Sequence, residues 1–174
     1  MADYPVWLLQ LVEAFIFIAP AYFANAIPVI TSGLGPIDLG MKFFDGKRLL
    51  GKNKTIGGLL GGVLAGEILW LAAMSWLPDF YQGYPYWTGF VMGFGTILGD
   101  AIGSFIKRRI NLQPGGPFPV MDQLGFVLMA YLLVWLAGIS FPLWYLWYVI
   151  PITLFGHLGA NYLAYLVGWK EVWW

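Results

Sequence analysis

Five apolar stretches, each about as long as a bilayer crossing, leave this chain little choice but a membrane. A spanning helix needs about 20 predominantly apolar residues, and residues 5–27, 56–76, 86–106, 120–139 and 146–167 each meet that length. Only 10% of the 174 residues are charged, against roughly 25% in an ordinary soluble domain. The expected fold is an all-α integral membrane protein of about five transmembrane helices, forming one domain over residues 1–174. Ala24-Asn25-Ala26 resembles a signal-peptide cleavage site. No Lys or Arg precedes that first apolar stretch, however, and it is too long for a signal core, so it is read as a span.

Charge distribution sets the expected orientation. All nine Lys and Arg lie in the 31–55 connector, in the 107–119 connector, or at Lys170 in the tail. Five spans put all three regions on one side, which the positive-inside rule makes cytoplasmic. The N-terminus is then outside and the C-terminus cytoplasmic. Trp7, Trp76, Trp87, Trp144, Trp147, Trp169, Trp173 and Trp174 gather near span ends, as in an interfacial aromatic belt. There is no cysteine and a single histidine. Disulfides, iron–sulfur clusters, Cys-ligated zinc and His-rich metal sites are therefore excluded.

Glycines repeat every four residues in the second and third spans: Gly57 and Gly61; Gly58, Gly62 and Gly66; Gly95, Gly99 and Gly103. That spacing lets helix backbones approach closely in lipid, and Gly99 and Gly103 would also make room beside Asp100. The 31–55 connector is long, and connectors of that length are usually functional or disordered. Its mixture of apolar and charged residues predicts order at the interface, with a short surface helix around residues 37–44.

The stretch GDAIGSFIKRRINLQPGGPFPVMDQL, residues 99–124, holds the densest chemistry. Asp100, Ser104, Lys107 and Arg108 share one helical face, and Arg109 completes the basic cluster. A carboxylate placed like Asp100, inside an apolar run, normally faces a polar cavity or an ion-pair partner, here Lys107 or Arg108. Asp122 opens the next span, where it suits a helix N-terminus. Paired with Asp100 across the turn, it becomes a second oxygen ligand for Mg²⁺, which takes carboxylates together with substrate phosphates. In the other basic connector, Gly46 to Asn53 reads GKRLLGKN. This nearly spells a P-loop, but Asn53 replaces the hydroxyl residue and no strand precedes it. Lys47, Lys52, Lys54 and Thr55, just before a helix start, still suit an anion. Asn25 lies at the same end of the first span. Glu13 and Glu67 fall mid-span, and His157 and Asn161 are spaced for interhelical hydrogen bonds.

GDAIGSFIKRR resembles the core motif of the CTP-dependent CDP-diacylglycerol synthases, and the Pro-Gly-Gly and Met-Asp-Gln-Leu that follow resemble the distal part of the same signature. Over the whole chain the similarity is closer to their archaeal branch, the CDP-archaeol synthases: it extends to NAIPVI (25–30) and DGKRLLGKNKTIGG (45–58). The insert after the basic pair is shorter than in the bacterial signature, its histidine-glycine-glycine is represented only by Gly115-Gly116, and its second terminal aspartate is absent. Asp100 and Asp122 are thus the only acids of the motif left.

The resemblance implies a multi-pass cell-membrane enzyme whose active site faces the cytoplasm. It would transfer CMP from CTP to a bis-geranylgeranyl ether glycerol phosphate, releasing pyrophosphate. Asp100 and Asp122 would hold Mg²⁺, with Lys107 as a catalytic cation. Lys47, Lys52, Lys54, Arg108 and Arg109 would bind the triphosphate, and Asn25, Asn53, Thr55 and Ser104 would hydrogen-bond ribose, base or phosphate. The glycine-lined helices would leave a lateral groove for the two isoprenoid chains. The partners are CTP, the lipid phosphate and the bilayer, with no nucleic acid. A rival reading is a small transporter or channel for anionic solutes, supported by Glu13, Glu67 and Asp100 in a glycine-rich bundle, although no internal repeat accompanies them. A CDP-alcohol phosphotransferase would need a denser aspartate motif than Asp45-Gly46 supplies.

Overall fold

The computed structural model describes residues 4–113 and 116–168. The expectations for Pro114, Gly115, Trp169, Lys170, Trp173 and Trp174 lie outside the described residues. Among those described there is no β-strand. The elements are α1 (Val6–Ala26), which runs into a 3₁₀ turn at Ile27–Val29, α2 (Ile56–Trp76), a short α3 (Pro78–Tyr81), α4 (Thr88–Arg109), α5 (Met121–Leu136) and α6 (Tyr145–Leu166). Three segments, Val6–Val29, Ile56–Trp76 and Thr88–Arg109, are long and apolar enough to cross a membrane. α6 coincides with the fifth predicted stretch.

The helix ends follow from local chemistry. Thr55 Oγ1 accepts from Gly58 N at 3.1 Å and starts α2 as an N-cap. Lys107, Arg108 and Arg109 fill the last turn of α4, where the helix dipole favours cations. α5 is shorter than its apolar run because Gly138 takes φ +77° and Ile139 N reaches back to Val134 O at 3.1 Å, closing the helix in a Schellman turn.

α4 is the central helix, packed against α1, α2 and α5, while α1 and α5 hold α6. The glycines decide how close α2 and α4 come. A Cβ on Gly66 would lie 2.9 Å from Gly89 O, and one on Gly89 would lie 2.6 Å from Gly66 O. No side chain fits between those backbones. Gly99 of α4 meets the Gly125 backbone of α5 in the same way. The predicted glycine-lined lateral groove is largely filled: Gly66, Gly95 and Gly99 meet the backbone of a neighbouring helix, and Gly57 and Gly61 meet Thr31 of the first connector. Away from the basic connectors, the fully buried ring of Phe17 contacts the rings of Trp70, Tyr84, Tyr131, Phe141 and Tyr145. The polar tips nearby are matched, with Trp70 Nε1 donating to Pro85 O (3.1 Å) and Tyr81 Oη to Ile16 O (3.1 Å).

The surface helix expected around residues 37–44 is absent. The connector instead folds through tight turns and two isolated bridges, Pro36 with Thr55 and Lys42 with Arg48. Leu39 and Gly40 sit at φ +47° and +82°, which interrupts any helix at the residues that would have formed it.

Candidate functional site

The two basic connectors meet at one end of the bundle. Arg109 joins them: its Nη2 donates to Arg48 O at 2.6 Å and its Nη1 lies 3.2 Å from Asp45 Oδ1. Its guanidinium also lies over the rings of Phe43 (5.0 Å) and Phe105 (4.7 Å). Lys47 Nζ donates to Arg109 O at 2.8 Å and adds a second strut.

Asp38 holds the first connector in shape. Its carboxylate accepts from Arg48 Nε and Nη2 and from the backbone N–H groups of Gly40, Leu50 and Gly51, all within 2.8–3.3 Å. Burial by itself would push this carboxyl up. Arg48 and the three backbone donors outweigh it and hold Asp38 well below the usual carboxylate range. The bond from Gly40 N is an Asx-turn, the one local signal in the sequence that Asp38 has a structural task. Its bonds to Leu50 and Gly51 cross a turn-rich loop whose closure no periodicity announces.

Between the connectors lies a polar cavity of ≈ 230 Å³. Gly51, Lys52, Asn53 and Lys54 line it from the first connector, Asp100, Ser104, Lys107 and Arg108 from α4, and Asp122 from the start of α5. The helical face read from the sequence is therefore the face that lines the cavity. The ion pairs differ from the expected ones. Asp100 pairs with Lys54 across the connectors, rather than with Lys107 or Arg108. Lys107 Nζ donates to Asp122 Oδ2 at 2.6 Å. Phe118 N also donates to that oxygen, at 3.0 Å, which fixes the carboxylate at the entry to α5. The residue before that helix, Val120, sits at φ +68°, a strained conformation for a β-branched residue.

Both carboxylates stay open to the cavity, with side chains 42% (Asp100) and 31% (Asp122) exposed. Ser104 Oγ donates to Asp100 O at 3.0 Å, and Arg108 Nη2 donates to Leu112 O at 2.6 Å. Two further cavities adjoin. Lys47, Asn53, Arg108 and Gln113 line one of ≈ 500 Å³. Asn25, Ser32, Lys52, Asn53, Lys54, Thr55 and Asp100 line another of ≈ 520 Å³. Of the sequence-predicted residues, Arg109 lines none of these three spaces and serves as the clamp between connectors.

The acids farther from the site have their own settings. Glu67 Oε2 accepts from Phe90 N at 2.7 Å, satisfying an amide in the first turn of α4. His157 and Asn161 approach each other along α6, with 3.2 Å between Nδ1 and Nδ2. No group of three or more His, Cys, Asp or Glu that could hold a metal occurs among the described residues. A cation in the central cavity would therefore have two protein carboxylates and would draw its other oxygens from water or substrate. Mg²⁺ accepts that donor set, and the two half-exposed carboxylates fit it.

Comparison with known proteins gives a consistent result. A family model described as CarS-like CDP-archaeol synthase matches residues 7–174. The CDP-archaeol synthase of Pyrococcus horikoshii is 42% identical over 95% of this chain and 98% of its own length. That of Methanopyrus kandleri is 43% identical over 97% and 95%. A solved structure described as an intramembrane enzyme for archaeal membrane lipid biosynthesis superposes with a TM-score of 0.77 at 36% identity, over 87% of this chain and 94% of that one.

Proposed function

The chain belongs to the CarS-like CDP-archaeol synthase family, and from that premise we propose that the cavity between its basic connectors is where the triphosphate of CTP is held. The enzyme is a cytidylyltransferase that forms CDP-archaeol from CTP and an archaeal ether lipid phosphate. The observation that carries the site assignment is the convergence of Asp100 and Asp122, from separate helices, with Lys52, Lys54, Lys107 and Arg108 on one cavity.

A phosphomonoester has a second pKa near 6, so the lipid phosphate is largely dianionic at neutral pH and needs no general base. One of its oxygens attacks the α-phosphorus of CTP. The bond to the β-phosphate bridge breaks, and pyrophosphate leaves with that electron pair. What the protein must contribute is alignment and charge neutralisation. Lys52, Lys54, Lys107 and Arg108 hold the triphosphate and the departing pyrophosphate. Ser104, Asn53 and Thr55 supply hydrogen bonds at the rim, and Lys47 does so on the adjoining face. Asp100 and Asp122 would hold a Mg²⁺ ion, which supplies charge neutralisation at the phosphates when bound. When the nucleotide arrives, Lys54 and Lys107 exchange their carboxylate partners for phosphate oxygens, which would leave Asp100 and Asp122 available to hold the ion.

The enzyme is one membrane-embedded domain of five spans in the cell membrane. The site faces the cytoplasm, where CTP is found, and the placement of the Lys and Arg residues supports that orientation. Purified protein in detergent with radiolabelled CTP, lipid phosphate and Mg²⁺ is expected to yield labelled CDP-lipid and pyrophosphate. A chelator should stop the reaction and added Mg²⁺ restore it. Turnover that persists in excess chelator would remove the metal assignment.

A further inference from the structure

Val120 stands at φ +68° and ψ −50°, close to the centre of a positive-φ γ-turn, a rare and strained backbone state. Among the described residues, the others with positive φ that are not glycine are Leu34, Leu39 and Asn111. Val120 is the β-branched one of the four, and a β-branched residue in that region is a genuine outlier. Its side chain is 56% exposed, so packing of the isopropyl group does not account for the conformation. Strain of this kind persists only where the surrounding structure over-determines it, and it gathers at functional sites.

Two rigid pieces close on residue 120. On one side, Phe118 and Asp122 bond reciprocally: Asp122 N donates to Phe118 O and Phe118 N donates to Asp122 Oδ2, both at 3.0 Å. Pro117 and Pro119 flank Phe118, and each fixes its own φ. On the other side, Leu124 N donates to Val120 O at 2.8 Å as α5 begins. Gly99 of α4 leaves no room for a side chain against Gly125 O, which pins that first turn of α5 in place. The chain has to reverse between these pieces, and residue 120 takes the reversal.

That reversal decides how the Asp122 carboxylate is held. Its bonds from Phe118 N and from Lys107 Nζ (2.6 Å) both end on Oδ2. Oδ1 is then the oxygen left for a cation in the central cavity, which Asp122 lines. With residue 120 at negative φ, the Phe118 segment would swing away from α5 and both Phe118 bonds would open. The carboxylate would then turn about its own side-chain bonds. Mg²⁺ demands near-ideal octahedral geometry, whereas Ca²⁺ tolerates irregular sites, so a loosened carboxylate costs Mg²⁺ more.

We propose that Val120 is a positioning residue: its strained backbone keeps the Phe118–Asp122 bonds closed, and these aim Asp122 Oδ1 at the cation site. This rests on the assignment of Mg²⁺ to Asp100 and Asp122. Val120 acts through Asp122 alone.

Val120→Pro locks φ near −65°. Val120 N donates to no backbone carbonyl among the described residues, so the substitution deletes no such bond. With CTP and a short-chain glycerol phosphate ether as acceptor, the free Mg²⁺ giving half-maximal turnover is expected to rise about ten- to a hundredfold, the scale of losing a group that orients a metal ligand. The constant for Ca²⁺ as a competitor of Mg²⁺ should rise by about threefold at most, because its coordination is flexible. A general folding defect would weaken both ions alike. Val120→Gly is the conservative rescue, since glycine takes the same backbone without strain and should keep the Mg²⁺ constant within about threefold of wild type. Its unfolding midpoint in detergent and excess chelator should rise as the strain is relieved.

Should Val120→Pro fail to fold, Phe118→Pro carries the same comparison of Mg²⁺ with Ca²⁺, because it deletes the N–H bonded to Asp122 Oδ2. A wild-type Mg²⁺ constant in Val120→Pro, or equal losses for the two ions, overturns the assignment. Asp122→Asn is scored separately. If it keeps the wild-type Mg²⁺ constant, the metal reading itself fails; if it loses the Mg²⁺ response and Val120→Pro does not, only the role of Val120 falls.

Discussion

Asp100 and Asp122 each face a lysine, and those pairings explain how two carboxylates can share one cavity. Lys54 and Lys107 neutralise them across short distances, and the acids remain 42% (Asp100) and 31% (Asp122) exposed. Asp100→Asn and Asp122→Asn should each reduce CDP-lipid formation by roughly a hundredfold or more, as loss of a preorganised charge does, with little change in the unfolding midpoint in detergent. Near-normal turnover in either variant would remove that residue from the site. Asp38 acts through others. Asp38→Asn should raise KM for CTP roughly tenfold, the order of a lost charge-assisted hydrogen bond, while the short-chain acceptor KM stays constant. Its pH signature has a definite sign. The folded carboxyl lies below its ordinary value of about 3.9, so its contribution to stability is present above that value and is lost as pH falls through the lower folded one. The stability difference between wild type and Asp38→Asn should therefore be flat from about pH 5 to 8 and shrink only below about pH 4.

At the scale of elements, α4 carries the site and the packing on different faces. Its glycines close against α2 and α5, and its Asp100, Ser104, Lys107 and Arg108 turn toward the connectors. Close packing on one side holds the polar face in register with the loop that brings Lys54. Gly66→Leu or Gly89→Leu would push α2 and α4 apart. Each should lower stability by about 1–3 kcal/mol, the cost of overpacking, as measured by thermal unfolding in detergent against Gly159→Leu. An unchanged midpoint would show that the interface yields. Glu67 belongs to the same interface: by accepting from Phe90 N it satisfies the start of α4, so a mid-span acid that suggested a solute pathway has a packing explanation.

For the whole molecule, the absence of cysteine allows a direct test of orientation. Phe44 is fully exposed in the first connector and Tyr86 is exposed before α4. Phe44→Cys should react with an impermeant maleimide only in inside-out vesicles, and Tyr86→Cys only in right-side-out ones; labelling from the same side would overturn the topology. The apolar runs specified the helices by themselves, because a run of that length in lipid has one way to satisfy its backbone. Helical spacing likewise grouped Asp100 with Ser104, Lys107 and Arg108, since periodicity is a local property. The missed contacts are all non-local. Asp38 organising residues 48–51, Lys54 rather than Lys107 reaching Asp100, and Arg109 clamping Phe43 to Phe105 each depend on a turn-rich loop folding back across the bundle. Spacing along a chain says which side chains share a face, but not which distant loop closes over it. That choice was made only when the helices packed.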